Sequence, residues 1–502
     1  MKISRILAVT LMSFAAFSTS AESQYLVRVP ANVNLSAATP ETPSEPVSVV
    51  LSQEALPEAM VNTPYSFNLA DRLSITGGTG SYNLGDVAWS LTAGNALPPG
   101  LALENGTIAG TPTVKNEAGT AFEVTGTYQD ASGSQIYTLV VGGQVLKATQ
   151  VSVSNSMGCA LTISGGVKCW GQFIYGDPIP SPAPVRTSPV TIQGWESGVE
   201  RIRVGGDRAC AIRSSGMLEC FGSGNSSGKM GDGGSSSRGL PVVIPDLRGR
   251  VLDVGLGNFA GCALLDNSEV WCWGNNDYGQ VGDGTTTNRF SPVKVSDLQA
   301  KAISVGQSSV CAVDTGNRAL CWGRNSYGIL GDGTETPRAI PTPVSGLPAS
   351  VKAIQVGNSF SCALMNDGAL KCWGGNWYGQ LGNGGATNST TPTNVSGLQS
   401  SVLDIELGDH HACASHVSQG LLCWGANDSK QLGNATLGTM SVVPAQVAGF
   451  GQGVASFSAG GTTTCAITPA GSTKCWGANS AGELGDGSTT QRNTPVDVFP
   501  GN

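Results

Sequence analysis

The chain is 502 residues long, room for two or three domains or for one large repeat array, and only 12% of its residues are charged, against about 25% in an average domain. Glycine, at 70 residues, is about double its usual share of roughly 7%, so the chain is rich in turns. With a net charge of −8 and no window that concentrates Lys and Arg, it lacks the electrostatic footprint of a nucleic-acid binder, and no nucleic-acid partner is expected.

Residues 1–21, "MKISRILAVTLMSFAAFSTSA", place Lys2 and Arg5 ahead of an apolar run from Ile6 to Phe17 and end in small residues, with Thr19 and Ala21 at −3 and −1 of a cleavage site. This predicts a secretory signal peptide. The apolar run is too short to cross a bilayer, no later stretch is long and apolar enough, and no membrane span is expected. No cysteine precedes Cys159, so the modified cysteine of a lipoprotein is not expected either. Residues 22–46, rich in Ala, Ser, Thr and Pro, read as a flexible linker.

From 47 to 145 come β-type runs, "VSVVLS", "YSFNLA", "VAWSLT", "AFEVTGTY" and "QIYTLVV", separated by Gly, Pro and Asn and free of cysteine. They predict a small β-sandwich. The stretch "ALPPGLALENGTIAGTPT", residues 96–113, resembles Ig and cadherin-like domains of exported bacterial proteins: a Pro-Pro-Gly turn, a short strand, then a Gly-Thr-Ile-x-Gly-Thr-Pro hairpin. Such domains act as spacers or binding modules, and the resemblance assigns no ligand residue.

The remainder, 147–502, is ruled by its cysteines. They fall in seven pairs, Cys159 with Cys169, Cys210 with Cys220, Cys262 with Cys272, Cys311 with Cys321, Cys362 with Cys372, Cys413 with Cys423 and Cys465 with Cys475, each ten residues apart. Between partners lies strand, turn, strand, as in "CALMNDGALKC". A turn centred on the midpoint sets the two cysteines opposite each other on one hairpin face, so a disulfide within each hairpin is predicted. A zinc site would want cysteines two to four residues apart, and none are; seven equivalent pairs suit stapling better than a reactive thiol.

Taken whole, a copy runs through an apolar pair before glycine, Cys-Ala-Leu, a turn, Cys-Trp-Gly-x-Asn, Gly-Gln-Leu-Gly-Asp/Asn-Gly, and Pro with Val shortly after, and there are seven copies. A period of about 50 residues with short β runs and glycine turns predicts a propeller. The apolar "PVDVF" at 495–499 is expected to pair with the strand around "TQVSVS" at 149–154 and close the ring. Trp170, Trp273, Trp322, Trp373, Trp424 and Trp476, with Phe221 in the second copy, follow the second cysteine and are expected to pack between neighbouring blades. Asp283, Asp332, Asn383 and Asp486 are expected to accept backbone hydrogen bonds in the glycine turns; single scattered carboxylates do not make a calcium loop.

These copies resemble the regulator of chromosome condensation repeat family, most closely at Trp273–Gly284, Trp322–Gly333 and Trp373–Gly384. The resemblance implies an all-β, seven-bladed β-propeller. Copy one, "CWGQFIYGDPIP", lacks the Gly-Gln-Leu-Gly element, and the double glycine of a kelch propeller does not organise any copy. The founding member of the family exchanges nucleotide on a small GTPase; an export signal and oxidised hairpins argue against carrying that activity over.

Little marks chemistry. His410, His411 and His416 sit together in "GDHHACASH", but consecutive His410 and His411 point to opposite faces of a strand, so no metal is expected. No Gly-x-Ser-x-Gly elbow and no phosphate-gripping loop are present, and neither catalytic residue nor cofactor is assigned. Loop aromatics Phe173, Tyr175, Tyr278, Tyr327, Trp377 and Tyr378 are the candidate contacts, since Tyr and Trp give large contact area at low entropy cost. The expected function is an exported, non-enzymatic recognition or scaffold protein, periplasmic, cell-surface or secreted, that binds another protein or a surface polysaccharide through its propeller loops. The alternative is a polysaccharide lyase or hydrolase with its site at the propeller channel.

Overall fold

The computed structural model describes residues 45–61, 63–78, 81–114, 116–176 and 183–499, with the side chain of Glu117 set aside. The expected signal peptide and residues 22–44 of the expected linker lie outside the described residues. Among these residues there is no α-helix; the chain is strand and turn.

In the N-terminal unit a four-stranded sheet (Ala59–Met60, Ala131–Gly142, Asn116–Tyr128, Ala88–Leu91) faces a three-stranded one (Tyr65–Asn68, Thr107–Gly110, Leu101–Glu104). Phe122, Val124, Tyr137, Leu139 and Val141 from the first sheet meet Ile108 from the second in one buried cluster. The hairpin joining Leu101–Glu104 to Thr107–Gly110 turns on Asn105 and Gly106, both with positive φ (48° and 79°), the conformation of a tight type I′ turn. Ser48–Leu51 pairs with Leu73–Thr76 in a separate two-stranded sheet.

The cysteine-bearing repeats each build an antiparallel sheet of four strands in sequence order, as in Val351–Val356, Phe360–Met365, Leu370–Gly374 and Ser389–Asn394. Repeats 3 and 4 are joined in one seven-stranded sheet, because the long strand Arg289–Val305 is both the last strand of one and the first of the next. The second strand is apolar without alternation, "AGCALL" or "FSCALM", because both of its faces are covered by neighbouring sheets.

Every hairpin sets its two cysteines directly opposite each other in the register between second and third strands. Cys159 faces Cys169, Cys210 faces Cys220, Cys262 faces Cys272 and Cys311 faces Cys321. In the later copies Cys362 faces Cys372, Cys413 faces Cys423 and Cys465 faces Cys475. Each of these seven pairs is a disulfide, with Cα atoms 4.0–4.1 Å apart, and no cysteine is left free.

The fourth strand is the outer edge and carries a proline in every copy: Pro189, Pro241, Pro292, Pro341, Pro392, Pro444 and Pro495. A residue without an N–H spoils an open edge as a template for another chain. At the opposite side, the first strands of all seven copies and the turns that follow them line one central cavity, from residues 152–155 round to 458–461. This is the propeller expected from the sequence.

The closing contact differs from the expectation. Arg492–Asp497 pairs with Thr473–Gly477 in its own sheet, and Ala148–Val153 pairs only with Met157–Thr162. The first and last copies meet through backbone bonds instead: Leu146 N–H donates to the Val498 carbonyl at 2.8 Å, and Thr473 N–H to that of Leu146 at 2.9 Å.

Candidate functional site

The loops at one end of the repeats are held from within. After each Cys-Trp-Gly (Cys-Phe-Gly in repeat 2), a buried asparagine, Asn225, Asn276, Asn325, Asn376, Asn427 or Asn479, ties the loop in repeats 2 to 7. The Asn276 amide donates to the carbonyls of Thr285 (3.0 Å) and Thr287 (3.1 Å), while its oxygen accepts the Val281 N–H at 2.9 Å. Asp283 accepts from the Thr285 N–H (3.0 Å), the Thr285 hydroxyl (2.7 Å) and Arg289 Nε (2.7 Å). Burial alone would raise the pKa of this carboxyl, but the Thr285 and Arg289 hydrogen bonds outweigh it and hold it below the ordinary value. Asp332 and Asp486 are held down in the same way. These carboxylates are therefore spent on arginine and backbone, as the turn role predicts.

On that frame stand the candidate aromatics. The Asn275 N–H donates to the Phe259 carbonyl at 3.0 Å, which puts the turn between first and second strands beside the loop after the third, at one end of the molecule. Tyr278, Tyr327, Trp377 and Tyr378 are exposed there, and so is Phe259, which the sequence reading missed. Tyr327 meets Trp377 edge-on with ring centres 4.3 Å apart, and Tyr378 lies 5.2 Å from His410. Arg324 stands over Tyr278 at 5.8 Å. The rings thus form an arc across repeats 3 to 6.

Phe173 and Tyr175 do not join it. Phe173 is only 2% exposed and packs with Tyr175, Phe221 and Trp195 between repeats 1 and 2. The Tyr175 hydroxyl donates to the Thr191 carbonyl at 3.2 Å and accepts the Gln193 N–H at 2.8 Å. With Phe221 replacing a tryptophan in repeat 2, the space beside it is filled by these rings, so Phe173 is a packing residue and not a surface contact.

A pair of opposite charges meets across the central cavity. Arg203 from repeat 2 reaches Glu406 from repeat 6 at 3.8 Å, and Glu406 also accepts from Gln355 at 3.4 Å. Burial pushes the Glu406 carboxyl up to about 7, with Arg203 pulling against the rise and Asp404 and Asp253 adding to it. Sequence reasoning missed this pair, although both residues sit on first strands, two positions before the glycine that ends each.

The three histidines part company. His411 is fully buried, its Nε2 2.9 Å from the Thr464 hydroxyl, and burial drives its pKa down to about 3. His410 turns to the loop end, where burial lowers its pKa and Asp409 opposes the fall. His416 accepts the Ser418 N–H at 3.3 Å. Among the described residues no group of three or more His, Cys, Asp or Glu is placed to hold a metal ion.

Comparison with known proteins agrees with this architecture. An Ig-domain model matches residues 47–142, and the regulator of chromosome condensation (RCC1) repeat matches residues 420–467. The E3 ubiquitin-protein ligase HERC2 of Homo sapiens is 29% identical over 283 residues; that segment is 54% of this chain but 5% of HERC2, so the chain spans a small part of that relative's length. The ultraviolet-B receptor UVR8 of Arabidopsis thaliana is 29% identical over 364 residues, 70% of either chain. In fold, yeast RCC1 (Prp20), solved with Kap60, superposes with a TM-score of 0.58 at 19% identity, covering 71% of this chain and 85% of that one. The RCC1-like domain model matches residues 125–414, more than half of the sequence, and on that match the chain belongs to the RCC1-like domain family.

Proposed function

We propose that this is an exported, non-enzymatic recognition protein in which an Ig-like spacer, residues 47–145, carries a seven-bladed propeller, residues 147–502, that binds a partner through the loop end of repeats 3 to 6. The observation that carries the reading is the arc of exposed aromatics, Tyr278, Tyr327, Trp377 and Tyr378, on loops made rigid from within. Rigid exposed rings are the usual anchors of interfaces. Fourteen cysteines all held in disulfides belong to an oxidising compartment, which supports export together with the leader-like residues 1–21. Yeast RCC1 (Prp20), which shares this fold, is solved bound to Kap60, which supports a protein-binding role; a surface polysaccharide is the other partner class.

The rival reading, a polysaccharide lyase or hydrolase at the channel, has Glu406 in its favour, a carboxyl that stays part-protonated near neutral pH. Against it, Arg203 already occupies that carboxylate. The test immobilises the purified chain and a Tyr327→Ala/Trp377→Ala variant of unchanged melting temperature, and offers both an envelope extract and a glycan and peptide turnover screen. Saturable capture by the wild type alone, without turnover, is expected. Equal capture by both proteins would remove the loop end as the binding face, and turnover abolished by Glu406→Gln would establish the rival.

A further inference from the structure

The repeats serve as controls for one another, and repeat 4 breaks their pattern. In repeats 3, 5 and 6 the glutamine of Gly-Gln-Leu-Gly or its equivalent turns its side-chain oxygen back to a backbone N–H two residues earlier: Gln280 to Tyr278 (2.9 Å), Gln380 to Tyr378 (2.9 Å) and Gln431 to Ser429 (3.0 Å). In repeat 7 Glu483 does the same for Ala481 at 2.8 Å. Two repeats offer no acceptor there: repeat 2, with Lys229, whose Ser227 keeps out of the positive-φ region, and repeat 4, which reads "GILG" with Ile329. There the backbone of Tyr327 swings to φ 63°, ψ 14°, a left-handed conformation uncommon for a residue with a side chain and absent from Tyr278 and Tyr378. The Tyr327 ring stands perpendicular to that of Trp377, centres 4.3 Å apart.

Three further departures converge on the same spot. Trp377 stands where the neighbouring repeats have Ser326 and Asp428, and Arg324 where they have Asn275 and Gly375. His410 stands where repeats 4 and 5 have Ser308 and Ser359. Together they wall a small open notch of about 210 Å³, whose remaining lining includes Ser309, Asn358 and Ser359. Arg324 is braced by its Nε–H to the Ser326 hydroxyl at 2.9 Å. Among the ion pairs of the described residues it has no carboxylate partner, whereas the loop arginines Arg238, Arg289, Arg338 and Arg492 each have one. A strained tyrosine beside an unpaired arginine, both specific to one repeat, points to a ligand rather than to packing.

We infer that this notch binds an acidic sugar residue of a glycan, its apolar ring face stacked on Trp377 and its carboxylate paired with Arg324. The inference deepens the recognition reading above and rests on it. Exposed aromatic faces bordered by hydroxyl and amide groups match a pyranose, which alternates a C–H face with ring hydroxyls. An extended peptide would look for an unpaired strand edge, and the notch is walled by loops and offers none. Burial keeps the His410 imidazole neutral at pH 7, so it serves as a hydrogen-bonding group beside the guanidinium. Ile329 acts as a positioning residue, through Tyr327.

The full chain on an array of neutral, uronate-bearing and sialate-bearing oligosaccharides, with hexaglutamate as the peptide control, tests this. At least one acidic glycan is expected to bind tenfold or more above its uncharged counterpart, weakening as salt rises. Arg324→Gln should erase the preference for charge, and Trp377→Ala should remove binding of both forms. Ile329→Gln, which restores the acceptor found in repeats 3, 5, 6 and 7, should weaken binding at least fivefold while leaving the melting temperature unchanged or higher. An array with no acidic glycan retained, hexaglutamate bound as tightly as any sugar, or Ile329→Gln without effect on affinity would each overturn the inference. Trp377-dependent capture of a protein with an empty array would overturn it too, while leaving the recognition face itself standing.

Discussion

Two buried ionisable side chains respond to pH in opposite senses. His411 has its pKa lowered to about 3, from an ordinary value near 6.5, because burial penalises its charged form. The unfolded chain therefore takes up a proton that the folded chain refuses, and the stability His411 confers is present above pH 6.5 and lost as pH falls toward 3. His411→Thr, which copies Thr463 of repeat 7, should flatten that acid limb in denaturant titrations at pH 7, 5 and 4, at a packing cost of about 1–3 kcal/mol at pH 7. Glu406 works the other way. Its carboxyl is raised to about 7, so the folded state holds the proton more tightly, and its contribution is full below about pH 4.5 and lost as pH climbs through 7. Asp404, raised chiefly by burial, pushes in the same direction; Arg203 opposes it at Glu406. Glu406→Gln should remove much of the decline between pH 5 and 7.5. The opposite facing of His410 and His411 was legible in the alternation of a strand. The Arg203–Glu406 contact was not, because it joins first strands four repeats apart, and nothing local in the sequence states which residues look at each other across a channel.

Within the loops, charge comes in matched sets. Asp232, Asp283, Asp332 and Asp486 pair with Arg238, Arg289, Arg338 and Arg492, while repeats 5 and 6 have Asn383 with Ser389 and Asn434 with Ser441 at the same positions. Either the whole ion pair is present or neither half is. The physical reason is that the carboxylate is nearly enclosed, 5% exposed at Asp332, and an enclosed charge without its partner is costly. Arg338→Ser alone is predicted to lower stability by about 1–3 kcal/mol, and adding Asp332→Asn should recover most of the loss, since the double variant copies repeat 5. A strictly additive double-mutant cycle would disprove the coupling. Glycine spacing and Asp/Asn positions were readable as turn chemistry, and the ten-residue cysteine spacing as hairpin register. The left-handed Tyr327 was not, because repeat 2 lacks the same acceptor, at Lys229, and yet has no positive φ at Ser227.

Over the whole molecule the tryptophans form a relay. Each indole N–H reaches back to a carbonyl in the preceding repeat: Trp273 to Lys229 (3.0 Å), Trp322 to Gln280 (3.1 Å), Trp373 to Ile329 (2.9 Å), Trp424 to Gln380 (3.0 Å) and Trp476 to Gln431 (2.9 Å). Trp170 has no preceding repeat and reaches Glu483 of the last at 2.6 Å. The sequence placed these rings between blades correctly but misplaced the seam, assigning it to pairing of 495–499 with 149–154 where backbone bonds around Leu146, packing and an indole bond do the joining. Trp170→Phe should lower the melting temperature by as much as Trp373→Phe, each losing a buried hydrogen bond worth about 1 kcal/mol plus some packing. A silent Trp170→Phe would mean that the circle is open in solution.

Because every relay indole but that of Trp170 looks backward along the chain, assembly has a direction. As the polypeptide is made from its N-terminus, repeats 3 to 7 each find their acceptor already in place, and only Trp170 must wait for the final fifty or so residues to appear. Until then the first repeat keeps one large apolar face wet. A nascent chain stalled before Glu483 is thus the form most exposed to misassembly, and the step that ends the exposure is the arrival of the last copy.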